Sequence, residues 1–135
     1  MRDSGPVSFV CRRLVDQDYS VLCILEFFPA RQGQAADLAL FQSEDFNYRL
    51  ELAFADDERV VRVALAAVAR GGKLSFYYGP GPGSLALLAS GVDGSVLSTE
   101  RAGGFVGCVA GVYATGGGSV SPETADFDSF EYRGL

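Results

Sequence analysis

The sequence contains no histidine and no tryptophan among its 135 residues, and it has only three cysteines. Without histidine the chain cannot assemble a Ser-His-Asp triad or a Cys-His pair, and a histidine-based zinc site is excluded for the same reason. The phosphate-binding patterns GxxxxGKS and GxxxxGKT are also absent. The common arrangements for nucleophilic, zinc-dependent and nucleotide-dependent catalysis are therefore missing.

Basic residues are few, because 11 Lys and Arg stand against 17 Asp and Glu and give a formal charge of -6. Nucleic-acid phosphates are bound by clustered Lys and Arg, so this balance argues against a nucleic-acid partner. No run approaches the roughly 18 apolar residues of a membrane span, and the opening MRDSGPVSF lacks the apolar core of a secretory signal. We therefore expect no membrane partner and a cytoplasmic location.

The cysteines at positions 11, 23 and 108 are odd in number and include no CxxC pair. This spacing argues against a disulfide framework and suits a reducing compartment. Each cysteine lies within an apolar strand pattern, so we interpret all three as small buried side chains rather than metal ligands or nucleophiles.

What the sequence does contain is a succession of short β patterns separated by turn residues. About nine strands joined by turns every ~8 to 12 residues, with almost no helix, predict two packed antiparallel sheets in a single domain, residues 1–135. This fold class is an all-β sandwich. The predicted strands cover residues 8–14, 19–28, 36–42, 47–54, 59–68, 73–78, 85–92, 105–114 and 126–132.

The strand at 47–54 has the clearest alternation. Its apolar residues fall on one side and its polar residues on the other, which predicts one face toward the core and one away from it. The core side holds Tyr48, Leu50, Leu52 and Phe54, and the opposite side holds Asn47, Arg49 and Glu51.

The stretch from Phe105 to Ala114 carries no charge, which predicts a central strand covered on both faces. Gly107 and Gly111 lie on one side of it, and glycine within a strand often marks close approach by a ligand, a bulge or another backbone. The alternative is that a bulky neighbour such as Phe127 or Phe130 fills that space.

The last strand, DFDSFEY, has a mixed pattern. Phe127 differs in parity from Phe130 and Tyr132, so either both faces are buried or a bulge near Asp128 resets the register. Asp126 and Asp128 could hold a structural calcium ion if further oxygen ligands were present. Such carboxylates more often cap loops or accept backbone N–H bonds, and we expect no cofactor.

Several of these segments together carry a family resemblance. LSTERAGGFVGCVAGVYATG (97–116) followed by ADFDSFEY (125–132) resembles the C-terminal β-sandwich domain attached to many glycoside hydrolase family 43 enzymes, the β-xylosidases and α-L-arabinofuranosidases. ALFQSEDFNYRLELAF (39–54) and SFVCRRL (8–14) are similar to other strands of that domain. The resemblance covers nearly the whole chain and implies a jelly-roll of the concanavalin A-like kind.

The resemblance implies an accessory role without catalysis. In such enzymes the catalytic carboxylates lie on a five-bladed propeller that precedes the sandwich, and no part of this chain matches the propeller. The implied function is to pack on a propeller domain or subunit, shape its sugar pocket and so assist hemicellulose breakdown.

Phe105 is the position that the resemblance connects with the sugar pocket. Some members of the family send an aromatic side chain into the pocket mouth, and Phe105 in AGGFVG is the matching residue. An inserted ring would exclude water and favour short xylo- or arabino-oligosaccharides over polymers. The alternative is that Phe105 only begins a core strand.

Two other functions remain open. An independent carbohydrate-binding module would present exposed aromatic rings and, without tryptophan, Tyr48, Tyr77 and Tyr113 are the candidate sugar contacts. A structural sandwich used for self-association would instead form a homodimer. At 79–91, GPGPGSLALLASG stands where the family often has a larger segment containing aromatics, which weakens the case for sugar binding at that edge.

Overall fold

The computed structural model describes residues 7–53, 62–97, 107–118 and 124–135. These residues form nine β-strands and one short 3-10 helix, which confirms the predicted all-β, two-sheet sandwich. The elements in chain order are β1 (Val7–Arg13), β2 (Tyr19–Phe27), β3 (Ala35–Ser43), β4 (Phe46–Ala53), β5 (Arg62–Arg70), β6 (Lys73–Gly79), β7 (Ala86–Asp93), the 3-10 helix (Gly94–Leu97), β8 (Val109–Thr115) and β9 (Ala125–Gly134).

The strands form a four-stranded sheet in the order β1-β8-β3-β4 and a five-stranded sheet in the order β7-β6-β5-β2-β9. All neighbouring strands are antiparallel. The core lies between the two sheets, where alternate residues of β2 such as Val21 and Leu25 face Leu38 and Leu40 of β3. Burying each of these side chains contributes roughly 1.5–3 kcal/mol to folding stability. The interior faces therefore stabilise the packing of the two sheets against each other.

β8 is the interior strand that its uncharged sequence predicts, because it pairs with β1 on one side and β3 on the other. The alanine-rich segment at 62–70 is also a strand, although alanine favours helices. It lies between β2 and β6, and pairing on both sides outweighs the local preference.

The glycine face of β8 meets a neighbouring strand. A Cβ atom added at Gly111 would lie 2.4 Å from the carbonyl oxygen of Val10 and 2.6 Å from the Cβ of Cys11, and one added at Gly107 would lie 2.7 Å from Nε of Arg13. The prediction of close approach is confirmed. The alternative occupants, Phe127 and Phe130, are wrong, because they pack into the core from β9 while these glycines face away from it.

A bulge in β9 resolves the parity of the last strand. Leu25 pairs with Phe127 but Ile24 pairs with Ser129, so Asp128 is the extra residue. Of the two alternatives predicted for this strand, the bulge near Asp128 is therefore the one confirmed. It allows side chains on both sides of it, at positions 127, 130 and 132, to pack against the core.

The three cysteines are free thiols in different environments. Cys23 is fully buried, and burial raises the pKa of its thiol to about 12, while burial raises that of the half-buried Cys108 to about 11. Cys11 is exposed, so the prediction that all three are buried is wrong for this residue. Its strand, β1, is an edge of the described sheet and turns Cys11 outward.

Of the residues described, none belongs to a helix long and apolar enough to cross a membrane. The predicted strand residues at 54, 59–61 and 105–106 lie outside the described residues.

Candidate functional site

The candidate site is the end of the sandwich at which β8 begins, and we call it the β8 end. It contains a cavity of about 420 Å³ bounded by the β1–β2 loop, the β5–β6 turn and the 3-10 helix. Its floor is apolar, with Tyr19, Leu74 and Leu97, while Asp18 and Ser95 lie among the polar groups at its wall. An apolar floor with a few polar groups is the usual composition of a small-ligand site.

The loop between β1 and β2 is held in place by Tyr132 of β9. The Tyr132 hydroxyl donates a hydrogen bond to Oδ2 of Asp16 at 2.7 Å and accepts one from the Asp16 amide at 3.1 Å. The Tyr132 ring stacks on Tyr19, with centroids 5.8 Å apart, and the Arg12 guanidinium carbon lies 4.2 Å from its centroid. One aromatic side chain thus ties a loop to the core.

Three further hydrogen bonds join the other loops of the β8 end. The amide of Gly71 donates to Oδ1 of Asp18 at 3.0 Å, and that of Gly94 donates to the Gly72 carbonyl at 2.9 Å. The Leu14 amide donates to the Cys108 carbonyl at 3.0 Å. Because each bond crosses between segments that are distant in sequence, the walls of the cavity are mutually braced.

Phe105, the residue that the resemblance connects with a sugar pocket, lies outside the described residues. The chain leaves the described structure after Leu97 and returns at Gly107, two residues after Phe105. Leu97 and Cys108, next to these two points, both line the cavity. The described residues that flank the segment containing Phe105 therefore lie at the β8 end.

Outside the lining of the β8-end cavity, the outer face of the four-stranded sheet carries a buried ion pair. Oδ2 of Asp37, a residue with no exposed surface, accepts hydrogen bonds from Nε and Nη2 of Arg49 at 2.9 and 2.7 Å. Nη2 also lies 3.0 Å from Glu51. Burial alone would lower the pKa of Arg49, but the hydrogen bond and charge of Asp37 outweigh it and raise the pKa.

The ion pair also packs on aromatic rings. The Arg49 guanidinium carbon lies 4.8 Å from the centroid of the Tyr113 ring, and Phe9 contacts both Tyr113 and Phe41 edge to face. Sequence reasoning predicted that Arg49 faces away from the core but did not single out Asp37. The available signal was one carboxylate within the apolar run AADLAL of β3.

The three tyrosines proposed as sugar contacts lie on different faces of the molecule. Tyr48 points between the sheets, packs against Phe76 and donates a hydrogen bond to the Asp93 carbonyl at 2.8 Å. Tyr77 lies on the outer face of the five-stranded sheet, and Tyr113 lies on the outer face of the other sheet with only 2% of its surface exposed. They do not form one aromatic platform.

Asp126 and Asp128, the carboxylates considered for calcium binding, lie on the outer surface of the five-stranded sheet. Arg62 makes ion pairs with Asp128 and with Glu26, and its hydrogen bonds to them raise its pKa. Asp126 is cross-strand from Glu26. Among the residues that the structure describes, no group of three or more Cys, Asp or Glu side chains is arranged to hold a metal ion.

Comparison with known proteins shows which family and which relatives this chain is similar to. A family model described as the beta xylosidase C-terminal concanavalin A-like domain matches residues 54–133. A "Xylosidase/arabinosidase" of Butyrivibrio fibrisolvens is 25% identical over 96% of this chain, which spans only 29% of that relative's length.

Solved structures show the same architecture. The glycoside hydrolase family 43 protein BlXynB of Bacillus licheniformis superposes with a TM-score of 0.84 at 24% identity, over 95% of this chain and 30% of that one. The Bacteroides ovatus protein "Xyloglucan PUL GH43B" superposes with a TM-score of 0.84 at 24% identity, over 95% of this chain and 29% of that one. The likeness to these structures shows a shared fold, and the family match covers more than half of the sequence. The chain belongs to the family of β-xylosidase C-terminal concanavalin A-like domains.

Proposed function

We propose that this chain is a non-catalytic accessory domain that packs on a glycoside hydrolase family 43 propeller and helps to shape its sugar pocket. The observation that carries the proposal is the family match, together with the share of the relative that the chain covers. The chain matches a C-terminal domain family and spans 29% of the Butyrivibrio relative, so the remaining length of such proteins supplies another part of the molecule.

The use of the described carboxylates supports a non-catalytic role. A glycosidase usually needs two carboxyl groups that flank the scissile bond and are free to exchange protons with the substrate. Here Asp37 is buried against Arg49, Asp16 accepts from Tyr132 and Asp18 accepts from a backbone amide. Side chains committed to such structural contacts are poor candidates for an acid and a base.

The β8 end is the surface through which we propose that the domain acts. Its loops are braced by hydrogen bonds, and the described residues that flank the segment containing Phe105 lie there. Because the described residues on both sides of that segment are held by hydrogen bonds, they lose little further conformational entropy when they contact a partner. Phe105 would then close one side of the propeller's pocket and favour short xylo- or arabino-oligosaccharides.

The first test is hydrolysis by the chain alone. We expect the purified chain to release no nitrophenol from nitrophenyl xylosides or arabinofuranosides above the blank rate. Turnover that survives repurification and disappears on substitution of a carboxylate would contradict the non-catalytic assignment.

The second test adds a family 43 propeller prepared without its own sandwich domain. We expect the chain to bind it in calorimetry and to increase its kcat/KM for xylobiose. Phe105→Ala should remove most of that increase and leave binding largely intact. Phe28→Ala is the matched control, because Phe28 is an exposed phenylalanine of the β2–β3 loop, and it should change neither quantity. A fully active propeller that gains nothing from the chain would oppose the proposal.

Sugar binding by the isolated chain is a second candidate, favoured by the composition of the β8-end cavity. Carboxylate, amide and hydroxyl side chains above an apolar floor suit the polar edge and apolar face of a sugar ring. Titration with xylobiose up to millimolar concentration, followed by NMR, should shift resonances of Gln17 and Ser95 if the cavity binds sugar. Shifts at Tyr48 or Tyr77 instead would move the site elsewhere, and no shifts would remove this candidate.

A further inference from the structure

Tyr132 of β9 joins two parts of the molecule that no strand pairing connects. In the part of the chain that the structure describes, β1 and β9 are edge strands of different sheets, because β1 pairs with β8 and β9 pairs with β2. The ring of Tyr132 stacks on Tyr19 of β2, while the guanidinium carbon of Arg12, on β1, lies 4.2 Å from its centroid. The side chain therefore bridges the two sheets at the β8 end.

The hydroxyl group of Tyr132 makes three hydrogen bonds to two consecutive residues of the β1–β2 loop. It donates to Oδ2 of Asp16 at 2.7 Å, and it accepts from the amides of Asp16 at 3.1 Å and of Val15 at 3.3 Å. A phenol has one proton to donate and two lone pairs that accept, so these bonds use its whole capacity. The hydroxyl is fully committed to holding this loop.

The residues just before the loop contact the entry to β8. The last register pair between β1 and β8 joins Arg13 to Val109, the first residue of β8. Beyond this pair, the Leu14 amide donates to the Cys108 carbonyl at 3.0 Å. The Arg13 side chain crosses Gly107, since a Cβ atom added there would lie 2.7 Å from Nε of Arg13. Gly107 and Cys108 are therefore held from the β1 side.

Contacts to Tyr132 and to the entry of β8 alternate along the segment 12–16. Its first residue contacts Tyr132, the next two contact residues 107 and 108, and the last two hydrogen-bond to Tyr132 again. Burial does little to fix the end of this segment, because the Val15 side chain is 71% exposed. The hydrogen bonds of the Tyr132 hydroxyl therefore fix the residue that follows Leu14, whose amide bonds to Cys108.

The far end of the β1–β2 loop has attachments of its own. The Leu135 amide donates to the Asp18 carbonyl at 3.0 Å, and Oδ1 of Asp18 accepts from the Gly71 amide at 3.0 Å. Neither bond involves the Tyr132 side chain. Loss of the Tyr132 hydroxyl should therefore free residues 14–16 and leave Asp18 held.

We propose that Tyr132 is a positioning residue whose hydroxyl, through residues 14–16, fixes the backbone at Gly107 and Cys108, where the chain enters β8. The consequence for catalysis rests on the proposed function. The Cα atom of Phe105 must lie within about 7 Å of that of Gly107, because two residues of chain reach no further. Fixing the entry to β8 thus restricts where Phe105 can meet a propeller.

The first experiment measures this link in the chain alone. Tyr132→Phe removes the hydroxyl and leaves the ring to stack on Tyr19. We expect hydrogen–deuterium exchange of the Leu14 amide, followed by NMR, to accelerate about 10-fold, the factor that corresponds to the loss of roughly one net hydrogen bond. Asp16→Ala removes one of the three bonds and should accelerate the same amide by a smaller factor.

Two controls separate this effect from a general loosening. Tyr78→Phe removes the same atom from a tyrosine of β6 that is 47% exposed, and it should leave the exchange of Leu14 unchanged. In the Tyr132→Phe chain, the Gly71 amide is the internal reference, because its bond to Asp18 does not depend on Tyr132. Equal acceleration of Leu14 and Gly71 would overturn the proposal, as would wild-type exchange at Leu14.

The second experiment uses a family 43 propeller prepared without its own sandwich domain. We expect Tyr132→Phe to reduce the increase in kcat that the chain confers, while the affinity measured by calorimetry stays unchanged. Combining it with Phe105→Ala should cost no more activity than Phe105→Ala alone, because both changes act through one side chain. Losses that multiply would overturn the positioning role. If the wild-type chain confers no increase, the proposed function fails, and the exchange experiment still decides whether Tyr132 positions the entry to β8.

Discussion

The outer faces of the two sheets each carry an arginine bound to two carboxylates, but the surroundings of these clusters differ. Arg49 binds Asp37, which has no exposed surface, and packs over Tyr113. Arg62 binds Glu26 and Asp128, and all three side chains are more than one third exposed. The same residue types therefore form a buried ion-pair cluster on one sheet and a solvent-exposed one on the other.

The two clusters also join different sets of strands. β8 leads directly from the β8 end, and the buried cluster joins it through Tyr113 to β3 and β4. The exposed cluster joins β2, β5 and β9, and the strands of both clusters are held by continuous backbone pairing, so exposure is what distinguishes the two. Ion pairs in water contribute little, whereas a buried charge depends strongly on its partner.

The largest effect should come from breaking the buried pair. Arg49→Leu leaves the Asp37 carboxylate without its guanidinium, and we expect the free energy of unfolding to fall by about 3 kcal/mol. Urea denaturation measures this value. The double variant Asp37→Leu with Arg49→Leu should recover much of the loss, because no buried charge then remains. An Arg49→Leu variant as stable as wild type would show that the buried ion pair between Asp37 and Arg49 does not stabilise the fold.

The second effect tests the packing of β1 on the same sheet. Gly111→Ala places a methyl group against the Val10 carbonyl and Cys11, and overpacking of this kind costs about 1–3 kcal/mol of folding stability. Gly83→Ala is the control, since a Cβ there meets nothing within 4 Å and its φ is not in the left-handed region. Thermal unfolding of both variants should separate them; equal melting temperatures would contradict the close approach.

The third effect is the change of the free energy of unfolding at alkaline pH, to which a buried thiol of the core should contribute and the two ion-pair clusters should not. The pKa values of Arg49 and Arg62 are raised, so both clusters keep their charge, while the buried Cys23 thiol has its pKa raised from 9.0 to about 12. The unfolded chain therefore loses this proton first. The contribution of the Cys23 thiol to the free energy of unfolding is fully present below pH 9. It should fall by about 1.4 kcal/mol per pH unit as the pH rises toward 12.

Cys23→Ala should make the decline with pH shallower, and Arg62→Ala should not alter it. Urea denaturation at several pH values between 8 and 11, about two units above the unfolded pKa at most, measures both slopes. An unchanged slope in the Cys23 variant would exclude the thiol as the cause.

The smallest effect should come from the exposed cluster. Arg62→Ala removes both of its ion pairs, yet the melting temperature should stay within experimental error, because solvent screens these charges. Added salt should make no difference to this comparison. A clear loss of stability would show that the two clusters are more alike than their exposure indicates.

Two residues show how far the sequence alone could identify functional and structural side chains. Phe105 was proposed because AGGFVG resembles a family motif, and that motif is local; the residue lies outside the described structure, so its role stays a prediction. Asp37 was missed, because a single carboxylate in an apolar strand can be either an error in the strand assignment or half of a buried pair. Its partner, Arg49, lies twelve residues away on the next strand, and only the register of β3 with β4 brings the two together.

The sequence by itself predicted a β-sandwich of about nine strands, an interior strand at β8 and, as one of two alternatives for β9, a bulge near Asp128. Alternation, turn residues and the absence of charge are local properties, so they can be read without knowing which strands are neighbours. Only the tertiary structure decided that β1 fills the space at Gly111, that Cys11 faces outward and that Tyr132 hydrogen-bonds to Asp16. These features depend on strand order and register, which join residues far apart in the chain and leave no local pattern.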